Sequence, residues 1–130
     1  METGLTVKKD QLATAAQTQG METLIKPLIN EIHLFDSFVA GTSYLEDKSV
    51  LDEIKDGDEL TLFREDNKFD DHAILINTKD NRKLGYVPEA DNVIFARLMD
   101  AGKKLTAKVN SIKHKGSFTQ ISIGIYLVDF

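Results

Sequence analysis

Between residues 28 and 128 the chain alternates apolar and polar residues over short stretches, and each stretch ends at a turn-forming residue. A period of two puts alternate side chains on opposite faces of a pleated strand. The first stretch carries Ile32, Leu34 and the pair Phe38-Val39, and Gly41 breaks it. Residues 60–64 alternate next. Residues 73–77 form a nearly continuous apolar run, the pattern of a strand buried on both faces. Lys79, Asp80, Asn81 and Arg82 read as a hairpin connection, and residues 84–87 as the return strand stopped by Pro88. Residues 105–112 and 119–128 complete a set of six, the last around Ile121, Ile123, Ile125 and Leu127. Two helical signals interrupt the series. Ser49 is a candidate N-cap for residues 49–55, with Val50, Leu51 and Ile54 on one side. Asp91 is a candidate cap for residues 92–101, with Val93, Ile94, Ala96, Leu98 and Met99 as the apolar face and Gly102 as the stop. Six short strands joined locally, with two or three short helices, predict a mainly β fold: a small barrel or a strongly curved sheet whose ends or edges the helices cover.

At 130 residues the chain has the length of one domain and can bury a core without staples. The expected division is an appendage at 1–27, helical or frayed, and a barrel domain at 28–130. Within the polar, Gln/Thr/Ala-rich start, Asp10 is placed to cap a short helix through Gln17, and residues 21–27 read as a connecting turn ended before Pro27. The start has no continuous apolar stretch after its lysines and does not read as a signal peptide. No apolar run approaches the roughly 18 residues of a membrane span. The expectation is a cytoplasmic protein with no membrane partner, its oligomeric state left open.

Cysteine is absent, which removes disulfides, thiolate metal sites and thiol nucleophiles. His33, His72 and His114 are widely separated, without ligand spacing. No P-loop, no Gly-x-Gly-x-x-Gly and no Gly-x-Ser-x-Gly occurs. The expectation is a protein that is not an enzyme, with no cofactor, no metal and no catalytic residue. The net charge of −5 is a poor start for a nucleic-acid binder, but it is unevenly spread. Residues 28–71 carry four basic and thirteen acidic side chains, whereas residues 72–130 carry nine basic and five acidic. Lys103, Lys104, Lys108, Lys113 and Lys115 fall in a stretch without an acid. Such asymmetry marks either a phosphate-facing side or an ordinary solvated surface.

The segment 64–74 holds Glu65, Asp66, Asp70 and Asp71 with Asn67 and Phe69. Three functions compete with a plain solvated turn: a metal-dependent nuclease or phosphatase site, a base-binding loop with Phe69 as the stacking surface and Asp70 as a hydroxyl acceptor, and a protein contact. Composition by itself favours the turn, in which Asn67 and Asp70 bond the local backbone. Four aromatic residues also sit beside turns: Tyr44, Phe69, Tyr86 and Phe118. On one face they would make a stacking platform worth about 1–3 kcal/mol per base. Taken singly, each is better explained as a core plug.

Val39-Ala40-Gly41-Thr42-Ser43-Tyr44, then Leu62-Phe63-Arg64-Glu65 with Asn67, Phe69-Asp70 and Ala73-Ile74, then Leu84-Gly85-Tyr86-Val87-Pro88 occur in that order. Together with the helix at 92–101 and Leu105, Ala107 and Val109, this series resembles the HIRAN domain family over about residues 28–128, in particular its free-standing bacterial members. The resemblance implies an OB-like six-stranded barrel with helical additions. It also implies binding of single-stranded DNA at a 3′-hydroxyl end, as in the members fused to large ATPases. Tyr44 and Phe69 match the positions of the two base-holding rings, and Asp70 matches the acceptor of the terminal hydroxyl. Tyr86 falls at a polar ring near the backbone, Phe118 at a further aromatic, and Asn67 at a loop hydrogen-bonder. The chain departs from the pattern in three places. Ser43 stands where DNA-binding members often carry arginine, Glu89 stands at a lysine position, and the loop around Asn67-Lys68-Phe69-Asp70 is one residue shorter. Fewer phosphate contacts lower affinity and salt dependence. Lys68, Lys113 and Lys115 are the candidate replacements. The expected partner is a single-stranded DNA end. A protein partner is the alternative, for a domain that has lost DNA affinity.

Overall fold

Six antiparallel strands carry the described chain: β1 (Asn30–Phe38), β2 (Glu59–Arg64), β3 (Ile74–Thr78), β4 (Lys83–Tyr86), β5 (Lys104–Lys115) and β6 (Phe118–Asp129). The structure is a computed structural model and describes residues 30–129, of which 32–128 form one unit. The helix expected to end at Gln17 and the turn at 21–27 lie outside the described residues. The strand order is β1-β6-β5-β2-β3-β4. Hairpin pairing joins β2 to β3, β3 to β4 and β5 to β6, and β2 crosses to β5. The architecture is mainly β and OB-like, as the alternation of the sequence predicts.

Residues just beyond β1 bring the two ends of this sheet together. The Val39 N–H donates to Ile121 O on β6 at 2.9 Å. Ala40 and Tyr86 of β4 exchange both backbone hydrogen bonds, at 2.8 and 2.9 Å. Two consecutive residues thus touch β6 on one side and β4 on the other. Gly85 makes this approach possible, because a Cβ built there would lie 2.4 Å from Ala40 O and 2.5 Å from Val39 Cγ1.

The core lies inside this curled sheet. Leu60, Ile74, Ile76, Leu84, Ile121, Ile123 and Ile125 are fully buried, each removal from water worth about 1.5–3 kcal/mol. Strand β3 is buried on nearly every residue, in line with its continuous apolar run. Strand β1 departs from its pattern: Ile32, Leu34, Phe35 and Phe38 stay substantially exposed, and Ser37 is its buried residue.

The helices are shorter than the sequence suggested, and their caps differ. Helix α1 is Val50–Glu53, and the Ser49 hydroxyl bonds Asp47 instead of the helix start. Helix α2 is Asn92–Asp100. Its N-cap residue Asp91 makes no side-chain cap, because its Oδ2 accepts the Ser37 hydroxyl at 2.7 Å. Its inward residues are Asn92, Phe95 and Ala96, whereas Val93 and Ile94 face solvent. A 3-10 turn at Thr42–Tyr44 is the third short helix. No described helix is long and apolar enough to cross a membrane.

Candidate nucleic-acid interface

Tyr44 ends the 3-10 turn that follows the barrel closure. Gly41, at φ 83°, makes the reversal that a residue with a Cβ would adopt only with strain. Thr42 is buried, and its hydroxyl donates to Thr119 O of β6 at 3.3 Å. This fixes the turn against the β5–β6 hairpin and leaves the Tyr44 ring 90% exposed. A groove of about 490 Å³ beside the ring is lined by Leu45, Glu46, Asp47, Val50, Arg82 and Lys83, and Arg82 in it is paired with Asp47 and Glu53.

Phe69 is 83% exposed at the tip of the loop between β2 and β3. The loop is built from side-chain-to-backbone bonds. Asn67 Oδ1 accepts the Phe69 N–H at 2.8 Å, and Asp70 Oδ1 accepts the His72 N–H at 2.9 Å. Both are the local turns that the composition favoured. Longer-range bonds then pin the loop at both ends. At its start, the Tyr86 hydroxyl donates to the Glu65 carboxylate at 2.8 Å, and Asn67 Nδ2 donates to the same carboxylate at 3.2 Å. At its end, Arg64 donates to Ala73 O at 2.7 Å and Asp71 O at 2.9 Å, and pairs with Asp100 of α2 at 2.9 Å. The hydrogen bond from Arg64 holds Asp100 below the usual carboxylate value. Asp70 Oδ2 accepts Asn92 Nδ2 of α2 at 2.8 Å.

These contacts make a chain. Lys83, which shares the groove with Tyr44, has its ammonium 4.8 Å from the Tyr86 ring. Tyr86 reaches Glu65, Glu65 reaches Asn67, and Asn67 holds the backbone of Phe69. Lys68 lies 5.2 Å from the Phe69 ring. Phe118 is 42% exposed at the tip of the β5–β6 hairpin, paired with Lys115 and next to the Thr119 that holds the Tyr44 turn. Lys113 is two residues back, paired with Gln120 and exposed. Tyr86 is half-buried, a strut more than a free platform.

Lys83 is a cation that the sequence reading missed. Strict alternation would put residues 83 and 86 on opposite faces of β4. The pairing skips Leu84, with Ile76 opposite Gly85 and Asn77 opposite Lys83, and this bulge brings Lys83 to the Tyr86 side. The four carboxylates of the loop do not converge. Glu65 and Asp70 are committed to Tyr86, Asn67, His72 and Asn92, and no group of three or more His, Asp or Glu among the described residues is placed to hold a metal ion.

Solved structures share this architecture. A protein from Lactobacillus plantarum superposes with a TM-score of 0.73 at 27% identity, covering 78% of this chain and 99% of that one. The HIRAN domain of human HLTF superposes with a TM-score of 0.61 at 16% identity, covering 77% of this chain and 78% of that one, a likeness of fold. No curated protein matches the chain. The HIRAN domain family matches over residues 32–128, nearly all of the curled sheet together with both α-helices. The chain therefore belongs to the HIRAN domain family, a family of DNA-binding modules.

Proposed function

We propose that this domain is a non-catalytic module that binds the 3′-hydroxyl end of single-stranded DNA. Tyr44 and Phe69 stack on bases, Asp70 accepts the terminal hydroxyl, and Asn67 shapes the loop that presents both. Phe118 extends the stacking surface. Lys83, Lys68, Lys113 and Lys115 neutralise phosphates where Ser43 and Glu89 do not.

The observation that carries this reading is the pairing of exposure with fixation. Tyr44 and Phe69 give up burial, yet both stand on short turns held by bonds to distant elements. Turns held in advance leave only the ring torsions to be ordered on stacking. A carboxylate beside them repels an internal phosphate and favours a hydroxyl donor, so a free end is preferred over mid-strand binding.

The alternative of a protein-interaction domain has its own support in the exposed Ile32, Leu34, Phe35 and Phe38 of β1 with Val93 and Ile94 of α2. A titration of a fluorescent single-stranded oligonucleotide at about 50 mM salt separates the two, since electrostatic contacts are strongest there. Saturable binding that weakens toward 200 mM salt supports the DNA module. An unchanged anisotropy at about 50 mM salt overturns it in favour of a protein partner.

A further inference from the structure

Asn92 is the first residue of α2 and is 1% exposed, among the most buried side chains described. Its Nδ2 donates to Asp70 Oδ2 at 2.8 Å, while its Oδ1 has no hydrogen-bond partner among the described residues. Turning the amide over would set two acceptors 2.8 Å apart, so Asp70 fixes which way it points. Leaving a buried acceptor unpaired penalises the fold, and a leucine of similar size would avoid the penalty. Among the described residues, the one polar contact that the carboxamide makes is the bond to Asp70.

We propose that Asn92 is a positioning residue that holds the Asp70 carboxylate in the orientation that receives a strand's terminal hydroxyl. The inference rests on the reading of Asp70 given above. Each Asp70 oxygen already takes one protein donor, His72 N–H on Oδ1 and Asn92 on Oδ2, and each keeps a free lone-pair direction. Two donors from different elements fix the carboxylate plane: the first belongs to the loop itself, and the second is anchored in the core. An incoming hydroxyl then meets an acceptor already aimed, and an incoming phosphate meets a charge that cannot rotate away. Without Asn92, the carboxylate keeps only the local bond and can turn about its last torsion.

The test compares two single-stranded oligonucleotides of one sequence, ending in 3′-hydroxyl or 3′-phosphate, by fluorescence anisotropy. The proteins are the full chain, Asp70→Asn, Asn92→Ala and Asn92→Leu. The full chain is expected to favour the hydroxyl end by about thirtyfold or more, and Asp70→Asn to lose that preference. Both Asn92 variants are expected to cut the preference about fivefold or more, through weaker binding of the hydroxyl end with no loss of binding at the phosphate end. Full preference in either folded Asn92 variant overturns the role of Asn92 and leaves Asp70 standing. No preference in the full chain removes the reading of Asp70, and the inference falls with it. A measurement without substitution covers the case in which neither variant folds: the Asn92 side-chain amide resonances of the full chain should shift with the hydroxyl-ended strand. Unmoved resonances with that strand bound overturn the proposal.

Discussion

Replacing Gly85 with alanine is expected to destabilise the domain by about 3 kcal/mol or more, a fall in melting temperature of roughly 10–20 °C. The new methyl would meet Ala40 O at 2.4 Å and Val39 Cγ1 at 2.5 Å. The first of these is backbone and cannot swing aside. Relief requires residues 39–40 to move off β4, which sacrifices both hydrogen bonds between Ala40 and Tyr86. Each is worth about 1 kcal/mol, and the loss adds to the overpacking cost. The Tyr44 turn follows directly from this segment, so DNA affinity should fall with stability. Gly102 is the control. It has a positive φ of 92° but nothing within 4 Å of a built Cβ, so Gly102→Asn should cost about 1 kcal/mol or less. Thermal melts of the two variants check the pair. A Gly85→Ala protein as stable as the original would show that the closure is loose.

Removing both exposed rings, by Tyr44→Ala with Phe69→Ala, is expected to weaken single-strand binding about thirtyfold or more. Each base–ring contact contributes about 1–3 kcal/mol, so each single variant should lose roughly five- to a hundredfold. Stability should change by about 0.5 kcal/mol or less, because neither ring is packed in the core. Phe118→Ala should lose less binding and more stability, as that ring is half-covered. Affinity by anisotropy and unfolding by urea separate the two effects. A double variant that binds as well as the original would mean the rings serve another purpose.

The barrel was legible because its strands obey a simple rule. Ile121, Ile123 and Ile125 alternate in sequence and all point into the core, and the apolar run at 73–77 is buried on both faces. The helix ends were less legible. Asp91 has the right chemistry for a cap, but its carboxylate meets Ser37 from a strand 54 residues earlier, and local sequence cannot report that meeting. The same limit hid Asn92, which reads as an ordinary first-turn residue until α2 is packed under the β2–β3 loop. Lys83 was hidden for a different reason, since a one-residue bulge reverses the face that alternation assigns to it. The turn chemistry of Asn67 and Asp70 was readable because Asx turns are local. What no local pattern shows is that Glu65, Tyr86 and Arg64 clamp that turn from outside.

The most direct measurement is a backbone amide NMR map of the domain as a short 3′-hydroxyl single strand is added. The expected result is a contiguous set of shifted resonances at Gly41, Tyr44, Asn67, Phe69, Asp70, Tyr86 and Phe118, with the opposite ends of β1 and α2 unmoved. Shifts confined to Ile32, Leu34, Val93 and Ile94, or none at saturating strand, would contradict it.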